Sequence, residues 1–140
     1  MLIDLGESDG RPIYGRIADR IKFAIAGEVL RPGELAPSVR ELSKQLVVNP
    51  NTVARAYREL QGEGLLEPVR GTGLQIAPGA MERCRLARAE YVRGRFRAAF
   101  DEARDTGLPP AEIEMILHEE WSRGRGQGVG DQPNANGEGA

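Results

Sequence analysis

The sequence predicts a mainly α-helical fold with one small β-hairpin. Three observations lead to this expectation: apolar residues recur every three or four positions in five segments, capping residues precede two of these segments, and one glycine-containing turn separates two short extended runs. The chain has 140 residues, of which 40% are hydrophobic. That length and composition are enough for a small core in one modest domain with an appendage.

The first helix is expected over residues 12–26. Pro12 suits the first helical position, where its missing N–H costs no hydrogen bond, and Gly27 is expected to end the helix. The stretch LRPGELAP that follows has room for a turn and a very short extended piece. One face of the helix is apolar, through Ile13, Ile17, Ile21 and Ile25.

Two further helices are separated by only a few residues. Ser38 and Glu41 have the spacing of a capping box, in which each side chain accepts a hydrogen bond from the other residue's backbone N–H. Asn49 starts the next helix, because the residue before a proline is held out of the helical region and Asn is a good capping residue. The inward stripes are expected to be Val39, Leu42 and Leu46, then Val53, Ala56, Tyr57 and Leu60.

A β-hairpin is expected after the third helix. LLEPV and LQIA are typical of two short strands around the turn RGTG, and Pro68 places its strand at a sheet edge because proline cannot donate to a ladder. The order helix, helix, short turn, helix, hairpin is that of a winged helix-turn-helix domain.

The third helix carries side chains suited to DNA. At about 100° per residue, Asn51, Arg55 and Arg58 lie roughly opposite the inward stripe. Asn51 and Thr52 can exchange hydrogen bonds with base edges, and Arg55 can reach a guanine or a phosphate. Free backbone N–H groups are also expected at the helix N-terminus. A solvated face is the alternative, which the preceding capped helix and the hairpin make less favoured.

Two other elements are expected to contact phosphates or the minor groove. Ser38 and Arg40 lie where a duplex backbone would cross the second helix, and Ser38 can both cap that helix and reach a phosphate, through its hydroxyl and its backbone N–H. In the hairpin turn, Arg70 is followed by Gly71 and Thr72, a placement suited to an arginine that reaches the minor groove. A hairpin turn also needs glycine for structural reasons alone.

Residues 12–77 resemble the GntR-type winged helix, on PIYGRIADRIKFAI, PSVREL and NPNTVARAYREL followed by a glycine-rich wing turn. The resemblance implies DNA contacts from the arginine of the P-S-x-R motif, the polar opening of the recognition helix and the wing turn. Two positions depart from the family pattern: Val47 stands where a turn glycine is usual, and Ala36 where Leu is usual before the proline. The implied contact residues are Arg40, Asn49, Pro50, Asn51, Thr52, Arg55, Arg70 and Gly71.

Two more helices are expected after the hairpin. Apolar residues recur at helical spacing from Met81 to Ala103 and again from Ile113 to Trp121, with a break of Gly107, Pro109 and Pro110 between them. Two helices cannot hide these stripes within one chain, whereas a second copy can. This tail resembles that of the short-tailed YtrA-like subfamily, which implies dimerisation rather than metabolite sensing. The expected dimerisation residues are Leu86, Val92, Phe96, Phe100, Ile113, Ile116, Leu117 and Trp121.

Charge is consistent with a DNA partner only locally. The net charge is -2, but residues 11–78 carry 10 Lys or Arg against 7 Asp or Glu. A polyanion responds to the local field within about 8 Å at physiological salt, so the local excess matters more. The arginines of residues 83–97 suggest a second nucleic-acid site, but they alternate with Glu and apolar residues around the helix, so we expect a solvated face instead.

Catalysis and cofactors are not indicated. His118 is the only histidine and Cys84 the only cysteine, so neither a catalytic triad nor a metal site is supported, and Cys84 is expected to be passive rather than a redox switch. We therefore expect no enzyme, no cofactor and no metal. The longest apolar run is four residues, which favours a cytoplasmic protein without a membrane partner.

The sequence thus predicts a winged helix-turn-helix DNA-binding domain over residues 1–78, a helical dimerisation region over 79–123 and a disordered tail over 124–140. The expected function is that of a homodimeric transcription regulator that binds a double-stranded DNA operator with an inverted repeat, and we expect a repressor rather than an activator. A winged-helix module that binds proteins without sequence-specific DNA binding is the alternative. The residues name neither an operator nor an effector ligand.

Overall fold

The computed structural model describes residues 3–126. Within these residues the elements follow in the order α1 (Ile13–Ala26), α2 (Val39–Leu46), α3 (Pro50–Gly62), β1 (Leu66–Val69), β2 (Gly73–Ile76), α4 (Ala80–Asp105) and α5 (Pro110–Arg125). This order confirms the expected mainly α-helical fold with a small hairpin. The described chain contains no helix that is both long and apolar enough to cross a membrane.

The chain divides into two compact units at Val92 and Arg93, within α4. The boundary expected after residue 78 therefore lies inside the first unit, and the domain ranges stay predictions. Helix α5 continues to Arg125, two residues beyond the expected end of the helical region. Residues 127–140 of the expected tail lie outside the described residues.

Helix α1 forms one wall of the core of the first unit. Ile17, Ile21 and Ile25 are fully buried, as the four-residue spacing predicts, whereas Ile13 at the first turn remains 44% exposed. Pro12 is the N-cap residue rather than the first helical residue, with an extended ψ of 146°. Gly27 ends the helix, but the left-handed conformation falls on Glu28, one residue later.

The capping box predicted for α2 is present. Ser38 Oγ accepts a hydrogen bond from the Glu41 N–H at 3.0 Å, and the Glu41 carboxylate accepts one from the Ser38 N–H at 3.0 Å. The helix ends at Val47, which adopts the left-handed conformation with φ 57° and ψ 50°. Thus Val47 keeps the geometry that a glycine adopts easily, at the cost of backbone strain for a β-branched residue.

Replacing Val47 with Gly is expected to raise the free energy of unfolding by about 0.5 to 1 kcal/mol. Relief of left-handed strain, about 1 to 2 kcal/mol, exceeds the entropy cost of glycine, about 0.5 to 1 kcal/mol. Little burial is lost, because Val47 is 88% exposed. Urea denaturation measures the change. The matched control is Val29→Gly, another exposed valine but one without positive φ, which should destabilise instead.

Helix α3 is held by a cap at its N-terminus, by a buried face and by one hydrogen bond from Tyr57. Asn49 is the N-cap and Pro50 is the first helical residue, as predicted. Val53, Ala56, Tyr57 and Leu60 are buried. The Tyr57 hydroxyl donates a 2.6 Å hydrogen bond to the Pro37 carbonyl, and burial raises the pKa of Tyr57, so the hydroxyl stays protonated. This bond ties α3 to the chain just before α2.

The hairpin pairs β1 with β2 in antiparallel register, with Pro68 opposite Leu74. The short extended piece expected before α2 exists as a bridge between Leu35 and Gln75. It is extended by hydrogen bonds from Gly33 N–H to the Ile76 carbonyl and from Ala36 N–H to the Leu74 carbonyl. β2 therefore lies between this piece and β1, and Pro68 lies on the outer strand as predicted.

The start of α4 is attached to the ends of two earlier helices. The Arg85 guanidinium donates a 3.1 Å hydrogen bond to the Ala26 carbonyl at the end of α1, and Arg83 donates to the Glu63 carbonyl at the end of α3. Cations are favourable there because helix C-termini carry partial negative charge. Both arginines are exposed, as expected for a solvated face, and these contacts to backbone carbonyls add a structural role. Nearby Cys84 is buried, and burial raises the pKa of its thiol, which disfavours the reactive thiolate.

Candidate nucleic-acid interface

The N-terminus of α3 presents side chains rather than free backbone groups. Pro50 has no N–H, the Asn51 N–H donates to Asn49 Oδ1 at 2.7 Å, and the N–H groups of Thr52 and Val53 donate to the Asn49 carbonyl at 2.9 and 3.3 Å. The expectation of free backbone donors is therefore wrong: the Asn49 cap and Pro50 together leave none in this turn. Readout at this end of α3 falls on the exposed side chain of Asn51 and the half-buried side chain of Thr52.

Ser38 is more restricted than its sequence position indicates. Its N–H is held by the Glu41 carboxylate, so the predicted phosphate contact through this N–H is unsupported. The hydroxyl oxygen accepts from the Glu41 N–H, which leaves the hydroxyl hydrogen available as a donor. Arg40 is exposed two residues further on, and it remains the stronger candidate for a phosphate contact at the start of α2.

The wing turn is exposed and held by local hydrogen bonds. The Thr72 N–H donates to the Val69 carbonyl at 2.9 Å and its hydroxyl to the Arg70 carbonyl at 3.3 Å. Gly71 has φ 71°, which a side chain would disfavour, although open space surrounds the position of a Cβ. Glycine is thus required by the turn itself, and Arg70 is the residue of this turn with reach toward a partner.

Arg55 is exposed on α3, as predicted, but its guanidinium carbon lies 3.9 Å from the ring centroid of Tyr14 in α1. Such a position over an aromatic face is a cation–π contact. Sequence spacing along α3 could not reveal this contact, because it joins residues of two different helices. Tyr14 is therefore a residue of the candidate site that the sequence analysis missed.

The cations of the first unit fall into two groups, those with a carboxylate partner and those without one. In the first unit, Arg11, Arg16, Lys22 and Arg85 each have a carboxylate within 4.0 Å. Within residues 3–126, every Lys and Arg of α2, α3 and the wing belongs to the second group, which also includes Arg20, Arg31, Arg83 and Arg88 elsewhere in this unit. We call the cations of α2, α3 and the wing the unpaired basic set: Arg40, Lys44, Arg55, Arg58 and Arg70.

Lys44 is a second residue that the sequence analysis missed. It lies four residues after Arg40 on α2, so the two side chains share a face of the helix. The spacing was available in the sequence as a signal. An unpaired cation loses no existing partner when it binds a phosphate, so the unpaired basic set is suited to a polyanion.

The expected dimerisation residues form more than one apolar surface. In the second unit, Phe96 and Phe100 of α4 and Ile113, Ile116 and Leu117 of α5 line one open groove of about 250 Å³. Trp121, 65% exposed, lines a separate depression on α5 with Met115 and His118. Leu86 and Val92 lie in the first unit and are exposed there. Every residue of α5, which the structure describes in full, has a side chain that is at least partly exposed.

Comparison with known proteins agrees with this architecture. The family model described as bacterial regulatory proteins, gntR family, matches residues 13–76. The HTH-type transcriptional repressor YtrA of Bacillus subtilis (strain 168) is 32% identical over 118 residues, which are 84% of this chain and 88% of that protein. The chain belongs to the GntR family.

Solved structures extend the similarity beyond the winged helix of this GntR protein. A GntR family transcriptional regulator from Listeria monocytogenes has a TM-score of 0.65 at 30% identity and covers 81% of this chain and 98% of its own. YtrA from Sulfolobus acidocaldarius, a GntR-family transcription factor, has a TM-score of 0.52 at 33% identity and covers 67% of this chain and 97% of its own. The resemblance to the YtrA-like subfamily and the winged-helix fold class are thereby confirmed.

Proposed function

We propose that this GntR protein is a cytoplasmic, homodimeric repressor that binds an inverted-repeat operator in double-stranded DNA. Helix α3 enters the major groove and supplies base readout through Asn51, Thr52 and Arg55. Arg40 and the hydroxyl of Ser38 fix the register on the phosphates, and Arg70 of the wing reaches the minor groove. The relative named a transcriptional repressor supports the direction of regulation.

The unpaired basic set is the observation that carries the proposal. Its five cations lie on the helix-turn-helix and the wing, where a duplex would dock, and none forms an ion pair within the described residues. Each such cation releases counterions when it neutralises a phosphate, which gives affinity even though the chain carries a net charge of -2.

The apolar surfaces of α4 and α5 support the homodimer. Large apolar side chains remain exposed along both helices, including Phe96, Trp121 and Leu86 at 54%, 65% and 71% exposure. Exposed apolar surfaces such as the groove that Phe96 lines mark interaction sites. In a two-fold dimer, the same apolar surface of each copy packs against its counterpart. The two recognition helices would then bind half-sites about 10 bp apart.

Fluorescence anisotropy of labelled duplex DNA tests the function directly. Random duplex is titrated with the full chain at two salt concentrations, and genomic fragments that bind are then selected and sequenced. We expect the affinity for random duplex to fall steeply as the salt concentration rises. We also expect the selected fragments to share an inverted repeat, and a duplex that carries this repeat is called the selected duplex. Binding that is absent or insensitive to salt would contradict the proposal and favour the protein-binding alternative.

Replacing Arg55 with Ala is expected to weaken binding to the selected duplex by about 1 to 3 kcal/mol and binding to random duplex much less. This is the cost of losing a bidentate contact to guanine. Anisotropy titrations of both duplexes measure the difference. Arg58→Ala is the matched control, an unpaired arginine three residues later on the same helix that carries no assigned base contact. An equal loss on both duplexes would make Arg55 a phosphate contact instead.

A further inference from the structure

Tyr14 and Arg55 form a contact between α1 and α3 that the proposed function does not use. Tyr14 lies in the first turn of α1, and its ring is partly buried against the core. Arg55 lies on the exposed face of α3, with its guanidinium carbon 3.9 Å from the centre of that ring. One partner is therefore fixed by packing, whereas the other is a long side chain at the candidate interface.

Stacking leaves the hydrogen-bonding capacity of Arg55 intact. A guanidinium presents its face to an aromatic ring, while its five N–H donors point outward in its own plane. Arg55 makes no ion pair within residues 3–126, so those donors are not committed to a carboxylate. A free arginine side chain must be ordered when it binds, and a stacked one has lost much of that freedom beforehand.

We propose that Tyr14 is a positioning residue for DNA recognition, whose ring holds the Arg55 guanidinium in a binding-competent orientation. The inference rests on the proposed DNA-binding function and deepens it by assigning a role to a residue of α1. Tyr14 acts through Arg55, so its contribution exists only while Arg55 is present.

A double-mutant cycle tests this coupling. Tyr14→Phe keeps the aromatic face, and the Tyr14 hydroxyl makes no hydrogen bond within the described residues, so affinity for the selected duplex should stay within about two-fold of wild type. Tyr14→Leu keeps apolar bulk but removes the ring, and should weaken binding about two- to five-fold. In an Arg55→Ala background, Tyr14→Leu should cause no further loss, because the interacting partner is gone.

Two further measurements separate positioning from folding. Thermal unfolding of each variant shows whether Tyr14→Leu retains the fold. NMR of the Arg55 side-chain resonances shows the stack itself, since the ring current shifts them upfield in wild type and Tyr14→Phe but not in Tyr14→Leu.

The outcomes distinguish this inference from the function on which it rests. Wild-type protein that fails to bind DNA in a salt-dependent manner overturns both. If the wild-type protein binds DNA, three outcomes overturn the positioning role alone. These are an equal loss from Tyr14→Leu with and without Arg55, no loss of affinity from Tyr14→Leu, or a loss from Tyr14→Phe as large as that from Tyr14→Leu. Loss in the Arg55-containing protein only, together with the ring-current shift, supports it.

Discussion

Replacing Phe96 and Phe100 together with Asp is expected to convert a dimer into a monomer and to weaken binding to the selected duplex by about 10² to 10⁴-fold. Both rings line the apolar groove between α4 and α5. A carboxylate buried there without a partner is costly, so the interface would not form. A monomer also loses the effective concentration that one bound half-site provides for the second. Light scattering coupled to size-exclusion chromatography measures the mass, and anisotropy measures the affinity.

Ala98→Asp is the matched control for this pair. Ala98 is exposed on the same helix and lies about 200° around the axis from Phe96, so one carboxylate is added away from the groove. We expect it to leave the mass and the affinity near wild type. If the double variant instead remains dimeric, the groove is not the interface, and the separate depression that includes Trp121 becomes the better candidate.

The starts of α2 and α3 could be predicted because their causes are local. Ser38 and Glu41 satisfy each other's backbone across three residues, and Asn49 caps the helix that Pro50 opens. Such bonds depend only on residue type and spacing. For the same reason, helical periodicity alone could predict that Arg55 lies on the outward face of α3.

Contacts between distant elements could not be predicted in this way. Tyr14 and Arg55 belong to different helices, and Arg85 reaches the Ala26 carbonyl 59 residues earlier in the chain. Their proximity follows from how the helices pack, which the sequence pattern does not specify. The absence of free N–H groups at the start of α3 was missed for a different reason. Asn49, which marks the start of the helix in the sequence, also accepts a hydrogen bond from the Asn51 N–H that was expected to be free.

Val47 combines both situations. The sequence marks the position as a turn, but valine disfavours the left-handed conformation that the turn adopts. The packing of α2 against α3 therefore overrides the local preference of the residue. The region that positions the recognition helix thus contains local strain, and the rest of the first unit must stabilise it.

Ile21→Ala is expected to lower the free energy of unfolding by about 2 to 5 kcal/mol, a large part of the roughly 5 to 15 kcal/mol typical of a domain. Ile21 is fully buried in the core on which α3 rests, so its removal leaves a cavity as well as a loss of apolar burial. DNA binding should decline with the folded fraction rather than through any lost contact. Urea denaturation measures the stability, and anisotropy below the transition measures the binding.

Ile13→Ala separates burial from periodicity. Ile13 belongs to the same four-residue stripe of α1, and the sequence pattern treats it as equivalent to Ile21, but it is 44% exposed at the first turn. Because the same atoms are removed from a partly solvated site, we expect a cost below about 1 kcal/mol. Equal losses in the free energy of unfolding at the two positions would contradict this expectation and show that the core extends past Ile13 at the N-terminal end of α1.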